Sequence, residues 1–413
     1  FFLFLAFSYF KRTKTFLVVE FPACASFSIL CLSNLAFIHD FFLFFLVMEA
    51  VAFITILFTI LNFSKLSVEG SVKYFIMNSL AAGLFLMGCL MIYSVCMSTN
   101  FLVLHELLSA KFSEAGSKPV GTTLILGLGS IFIIISVIFK LGGYPFNAYV
   151  PDVYESSPTF VIFFLSVLVK GTFFLYLIRL LAFVFCDLSF FCSVVLALSS
   201  VSSILIGAVG GLTQNNIKRL FGYASVNQLG FLLAGLSFSN YFSFKVTIFY
   251  FFVYILVASI FLFVISSSYN ESAGRSIQFF SELKSLPILS SGVSSMIPLH
   301  FIFLFSVFSM CGLPPLAGFF AKYFLMFEIL KGGAFSMVFF ILLGSAISAF
   351  YYLKLVFQLV SYGPTSGPDH SNDKFFFESG YELEKTSVIV TKYPVIQLMD
   401  LGAFVVFYMP IIL

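Results

Sequence analysis

The chain has 413 residues, of which 61% are hydrophobic and 9% charged, with a mean hydropathy of +1.10 and a formal net charge of +3. Soluble domains carry about 25% charged residues, so soluble globular and disordered classes are excluded, and so small and scattered a positive charge argues against a nucleic-acid partner. A polytopic all-α membrane protein remains, because apolar segments of spanning length recur from end to end.

Other function classes fall away on motifs. The seven cysteines at 24, 31, 89, 96, 186, 192 and 311 form no CxxC pair and no Cys/His cluster, so they read as small core hydrophobes rather than metal or cluster ligands. There is no GxxxxGK[ST] loop and no strand-GxGxxG-helix unit for a nucleotide. Phenylalanine supplies 62 residues while tryptophan is absent, the imbalance that a T-rich coding strand produces, which hints at an organellar genome.

In chain order, residues 1–10 are apolar but too short to span and end at Lys11-Arg12-Thr13-Lys14, as would the remnant of an N-terminal helix followed by a basic loop. Eleven spans are predicted, at 15–37, 41–63, 71–97, 120–150, 157–184, 189–211, 217–238, 245–268, 297–330, 334–361 and 392–412. Two are longer than a straight crossing needs, and both are interrupted. The first contains FKLGGYPFNAYVPD, with Gly142, Gly143 and Pro145; the second contains CGLPP at 311–315, with Pro314 and Pro315, followed by Gly318. Proline removes a backbone donor and clashes with the preceding turn, and lipid cannot satisfy the carbonyls this frees. Broken helices in corresponding positions of two halves are the mark of an inverted-repeat transporter whose path lies at the repeat interface. The predicted organisation is therefore two inverted five-helix repeats, 15–186 and 187–362, then a polar loop at 363–391 and a last helix.

Lysine and arginine in the loops set the orientation. One side holds eleven (Lys11, Arg12, Lys14, Lys65, Lys218, Arg219, Arg275, Lys284, Lys374, Lys385 and Lys392) and the other four (Lys111, Lys118, Lys245 and Lys331). The positive-inside rule then places the 363–391 loop on the matrix or cytoplasmic side and the C-terminus outside.

Five ionisable groups lie inside the apolar runs: Glu49, Lys73, Lys140 before the first break, Lys170 in mid-span and Lys322 after the second break. Each costs about 2.5–3.5 kcal/mol at a helix centre on insertion scales, so they are expected to face inward. Snorkelling to the interface accounts for Lys73 and for Arg179 near span ends, but not for Lys170. For Glu49 the plain alternative is a structural ion pair. Four lysines against one acid is a composition in which a lysine can release and regain a proton; an arginine could not. Serines, threonines, asparagines and tyrosines in the spans offer sites for connecting water, although most serve helix packing. Gly207 and Gly211 form a GxxxG expected to bring two helices close.

These residues resemble a known family. The pieces that carry the resemblance are MEA at Glu49 with SVEGSVKY (67–74), FKLGGYPFNAYVPDVYESSPT (139–159), NNIKRLFGYASVNQLGFLLAG (215–235) and FSMCGLPPLAGFFAKYF (308–324). Over about Glu20 to Tyr362 they are similar to the subunit-2 family among the antiporter-like, proton-pumping subunits of respiratory NADH dehydrogenase (complex I). The resemblance implies a proton relay through Glu49, Lys73, Lys140, Lys170 and Lys322, with Glu49 and Lys73 paired at its start and Lys322 its terminal site. It implies a subunit of a proton-translocating NADH:ubiquinone oxidoreductase with no redox cofactor of its own, the NADH, FMN, iron–sulfur and ubiquinone sites belonging to other subunits. It implies partners in the membrane arm: the antiporter-like subunit 4, which carries Glu where Lys322 stands, the small subunit 4L, and the lateral helix of subunit 5. It also implies a multi-pass protein of the mitochondrial inner membrane, with the 363–391 loop in the matrix and the C-terminus in the intermembrane space.

The chain departs from the family in three places. About three helices that precede residue 15 in the long form are absent, which suggests a short form or a separate N-terminal fragment. Asn147 and Gln228 stand where the family has histidine, so neither can be a proton station, and water held by amides and freed backbone would have to bridge the lysines. A free-standing cation/proton antiporter subunit and a structural subunit that has lost pumping are the alternative readings.

Overall fold

The computed structural model describes residues 20–61, 64–113, 120–267 and 299–360, with short pieces at 2–3, 5–6, 269–270 and 275–276. The predicted remnant at 1–14 lies almost wholly outside the described residues, as do the 363–391 loop and the last span at 392–412. Thirteen helices account for nearly all of what is described: α1 (Glu20–Phe37), α2 (Phe41–Ile60), α3 (Lys65–Cys96), α4 (Phe101–Ser113), α5 (Val120–Leu141), α6 (Tyr149–Ser156), α7 (Thr159–Val184), α8 (Ser189–Leu212), α9 (Ile217–Leu236), α10 (Tyr241–Ser267), α11 (Leu299–Cys311), α12 (Ala317–Lys331) and α13 (Phe335–Val360). Among the described residues the other regular elements are a 3-10 turn at Cys186–Leu188 and a two-residue antiparallel ladder, Tyr269–Asn270 with Arg275–Ser276.

Seven of the described helices are long and apolar enough to cross a membrane. The two predicted long spans are each split, 120–150 into α5 and α6 and 297–330 into α11 and α12. Helix α4 lies in a stretch the apolar pattern leaves as a loop. Helix α3 starts at Lys65, earlier than predicted, because Ser64 and Ser67 close a capping box there that satisfies otherwise orphan amides.

Burial along α3 shows how the bundle selects its inner face. The buried positions Ser67, Ser71, Tyr74, Asn78, Ala81, Phe85, Gly88 and Ile92 alternate by three and four, the stripe of a helix packed on neighbours. It carries the small and polar residues Ser67, Ser71, Asn78, Ala81 and Gly88 besides Tyr74, Phe85 and Ile92, while Leu80, Leu90 and Tyr93 on the other faces are exposed. That is the arrangement of a protein whose outer solvent is lipid.

Helix α9 is the axis of the second half: nearly every one of its residues is buried, and α6, α8 and α10 all pack on it. Asn216 caps its start by accepting from the Lys218 amide. The expected close contact at the GxxxG is present, since a Cβ on Gly207 would meet the Asn227 backbone nitrogen at 2.6 Å. Most buried hydroxyls of α8 are spent locally: Ser199, Ser200 and Ser203 each donate to a carbonyl three residues earlier.

Candidate functional site

The two helix breaks are built alike. At the first, Gly142 has φ +83°, its amide donates to Phe139 O at 2.8 Å, and the Gly143 amide donates to Ile138 O at 2.9 Å. At the second, Gly312 has φ +85°, its amide donates to Ser309 O at 3.2 Å, and the Leu313 amide donates to Phe308 O at 3.2 Å. Each is a Schellman ending, in which a left-handed glycine lets the next two amides turn back on the helix; a side chain in that conformation costs about 1–2 kcal/mol. Both breaks also carry a cis proline, Pro145 and Pro315, the latter following Pro314.

A Schellman ending leaves the last two carbonyls of the helix unpaired by backbone. At the second break these are Met310 O and Cys311 O, and the Lys322 ammonium takes both, at 3.1 and 2.9 Å. Lys322 is 6% exposed and reaches back from α12, one turn after its start. The carbonyls freed by the break are thus a binding site for a cation. Gln228 of α9 donates to the same Met310 O at 3.4 Å and accepts from the Tyr250 hydroxyl. Lys322 also lies 5.4 Å from the centre of the Phe231 ring, a cation–π contact.

At the first break the lysine stands inside the ending, as the penultimate residue of α5. Lys140 donates to Asn78 Oδ1, Asn78 Nδ2 donates to Glu49 Oε2 at 3.3 Å, and Lys140 Nζ lies 3.7 Å from Glu49 Oε1. The direct ion pair is too long for a hydrogen bond, so the Asn78 amide bridges cation and anion with its acceptor toward one and its donor toward the other. Asn78 lies on the inward stripe of α3, and Tyr149 Oη caps Phe139 O at 2.9 Å. Asn147 is 6% exposed in the turn between α5 and α6.

Lys73 is placed differently from the expectation. It does not pair with Glu49; its carboxylate partners are Glu69 at 2.7 Å and Asp152 at 2.8 Å. The cause is its helical position, one residue off the buried stripe, which leaves its side chain 43% exposed. There it belongs to a charged cluster at one end of the bundle, where Arg219 meets Asp152 at 3.4 Å and Glu155 at 3.2 Å, and Asn216 donates to Glu155 at 3.0 Å. This cluster ties α3, α6 and α9 together. Arg179, expected near a span end, donates to Ile38 O at 3.0 Å.

Lys170 is 4% exposed, and its ammonium has no hydrogen-bond partner. It follows a π-helical turn over Phe164–Val169, an insertion that often accompanies functional positions. The structure thus brings Glu49 to Lys140 and holds Lys322 on its own carbonyls, while Lys170 forms no ion pair among the described residues. Sequence reasoning missed Asn78, Asp152 and Tyr250, and it expected freed carbonyls at the breaks without assigning those of Met310 and Cys311 to Lys322. Only Asn78 left a readable trace, a lone amide in the apolar run FIMNSLAAGLFLMG.

The fold and this set define a polytopic helical membrane protein with a charged interior built on two matched helix breaks. The chain belongs to the NADH:quinone oxidoreductase/Mrp antiporter transmembrane family, whose model matches residues 39–348. It is 32% identical over 351 residues to the protein named NADH-quinone oxidoreductase subunit N of Pelagibacter ubique, covering 84% of this chain and 70% of that one. It is also 32% identical over 304 residues to NADH-ubiquinone oxidoreductase chain 2 of Marchantia polymorpha, covering 71% of this chain and 57% of that one. A chain of respiratory complex I from Thermus thermophilus with bound aureothin shares the fold, with a TM-score of 0.69 and 24% identity over 94% of this chain and 76% of that one.

Proposed function

We propose that the chain is a membrane-arm subunit of a respiratory NADH:quinone oxidoreductase that moves protons across the membrane through Glu49, Lys140, Lys170 and Lys322. The observation that carries this is the burial of Lys140, Lys170 and Lys322 within the spans with Glu49 the one acid paired to any of them among the described residues, each lysine in a different electrostatic setting. Lys140 has a carboxylate and an amide, Lys170 nothing, and Lys322 only carbonyls. A proton shared among such sites moves when a neighbouring charge changes, which a scaffold has no need of. Lys73 then sits at the mouth, beside Asp152 and Arg219. Asn147, buried at the first break, would anchor connecting water. The curated relatives named above are subunits of NADH dehydrogenases, which favours this reading over a free-standing antiporter.

The two inverted repeats, 15–186 and 187–362, belong to the same proposal, supported by the identical endings at Gly142 and Gly312. So does the mitochondrial inner membrane as location, with the lysine-rich end toward the matrix. The ion pairs that join Lys73 near the start of α3 to Arg219 near the start of α9, through Asp152, support placing Lys65, Lys218 and Arg219 on one side. Subunit 4, subunit 4L and the lateral helix of subunit 5 are the proposed neighbours, and redox chemistry is left to other chains. A flavin or iron–sulfur signal from the isolated chain would contradict that last point.

The deciding experiment replaces Lys140 or Lys322 by methionine, which keeps bulk and removes charge, in the assembled complex in sealed vesicles. A lower proton-to-electron ratio in both variants is the expected result. An unchanged ratio in both would overturn the relay.

A further inference from the structure

Beside Lys322 lies a cavity of about 20 Å³, walled by Gln228, Tyr250, Tyr254, Val257, Met310 and Lys322. That volume admits about one water, and a buried water needs two to four polar partners. Most polar atoms of the wall are engaged with each other: the Tyr250 hydroxyl donates to Gln228, and Gln228 and Lys322 both donate to Met310 O. The Tyr254 hydroxyl is the exception. It is buried with no partner, a costly condition for a hydroxyl that nothing in the packing relieves.

Helix α10 carries this tyrosine between the two lysines of the second stretch of the path. On one side α10 packs on α7 beside Lys170: Phe251 lies against Phe174 with ring centres 4.2 Å apart, and Ile255 Cδ1 is 3.9 Å from where a Cβ on Gly171 would stand. On the other side, Tyr250, Tyr254 and Val257 line the cavity. Tyr254 follows Phe251 by three residues and precedes Ile255 by one, so it sits where the face toward Lys170 turns into the face toward Lys322. The unpartnered ammonium of Lys170 and the unpartnered hydroxyl of Tyr254 therefore belong to adjoining helices.

We infer that Tyr254, with a water in this cavity, passes the proton from Lys170 to Lys322, a task the family's histidine position cannot perform here because Gln228 occupies it. The inference rests on the relay proposed above. In the step, the two unpartnered groups come within hydrogen-bond reach of each other, and a proton leaves the Lys170 ammonium for the Tyr254 oxygen as the hydroxyl's own proton departs to the cavity water. That water releases a proton to the Lys322 amine. Tyr254 and the water begin and end neutral, Lys170 loses one proton and Lys322 gains it. Gln228 and Tyr250 hold the acceptor side in register without titrating.

The test uses the assembled complex in sealed vesicles and compares Tyr254→Phe, Val257→Phe and Lys322→Met. Tyr254→Phe removes one oxygen, and the proton-pumping rate is expected to fall about tenfold, the factor one net hydrogen bond is worth in a rate, with a larger slowing in heavy water than the unmodified complex shows. Val257→Phe fills the water volume from the same helix, one turn beyond Tyr254, without removing the hydroxyl, and is expected to slow pumping likewise. If Lys322→Met slows pumping while Tyr254→Phe and Val257→Phe keep the rate and solvent isotope effect of the unmodified complex, the inference is overturned and the relay stands. If Lys322→Met is itself silent, both fall. Should Tyr254→Phe fail to assemble, Val257→Phe decides, since normal pumping with the cavity filled overturns the inference by itself.

Discussion

At the scale of single residues, the informative feature is how differently three of the four lysines buried among the described residues are held, the fourth, Lys218, donating to Ser157 O at the start of α9. Lys322 is solvated by its own broken helix, and Lys140 by a bridging amide with a carboxylate behind it, while Lys170 has no partner at all. The Asn78 bridge is the most exposed to test. Its amide makes the hydrogen bonds that let Lys140 and Glu49 coexist at 3.7 Å, so Asn78→Leu, close in volume, strands a donor on one side and an acceptor on the other. Leaving buried polar groups unpaired costs about 1–3 kcal/mol, and that loss of stability is expected in thermal unfolding of the detergent-solubilised chain or complex. A melting temperature equal to that of the unmodified protein would show that the bridge does not hold the pair.

At the scale of elements, the two breaks are the same device used for two purposes. Both end a helix on a left-handed glycine and expose two carbonyls, but only the second turns those carbonyls into a cation site, because only there does a lysine reach back from the following helix. Gly142→Ala and Gly312→Ala should both cost about 1–2 kcal/mol through the left-handed backbone alone. They differ in what the added methyl meets: Val150 Cγ2 at 2.7 Å in the first, the Lys322 chain at Cδ 3.1 and Nζ 3.2 Å in the second. Gly312→Ala is therefore expected to lower proton pumping beyond any loss of stability, and Gly142→Ala to act on stability. Equal pumping in the two variants would deny the second break its part in placing Lys322.

At the scale of the whole molecule, α3, α6 and α9 are joined at one end by the Lys73–Asp152–Arg219–Glu155 cluster, and α6, α8 and α10 pack on α9 in the interior. The cluster is part-exposed, with side chains between 29% and 43% accessible apart from Glu69, and such pairs contribute roughly 0.2–1 kcal/mol each. Asp152 serves two cations at once, so Asp152→Asn is expected to cost little in stability, about 1–2 kcal/mol at most, while leaving Lys73 to Glu69 and Arg219 to Glu155. Its larger effect should be on the salt dependence of the pumping rate, because the cluster then holds one carboxylate fewer against Lys73 and Arg219, and the added net positive charge at the proposed mouth repels protons and is screened by salt. A salt profile identical to that of the unmodified complex would mean the cluster is a strut only.

The family was legible in the sequence alone, and so were the membrane class, both helix breaks and the buried positions of Lys140, Lys170 and Lys322. The reason is that lipid makes charges and freed carbonyls expensive, and expensive residues in apolar runs stand out without any knowledge of contacts. Partnership was a different matter. Whether Lys73 or Lys140 faces Glu49 depends on which stripe of α3 turns inward. That a hydroxyl of α10 meets a cavity beside Lys322 depends on residues far apart in the chain converging from four helices. Apolar periodicity in a membrane protein is too weak to set helix rotation, since both lipid and core accept the same side chains. Only the packed structure decides which polar group is a neighbour of which.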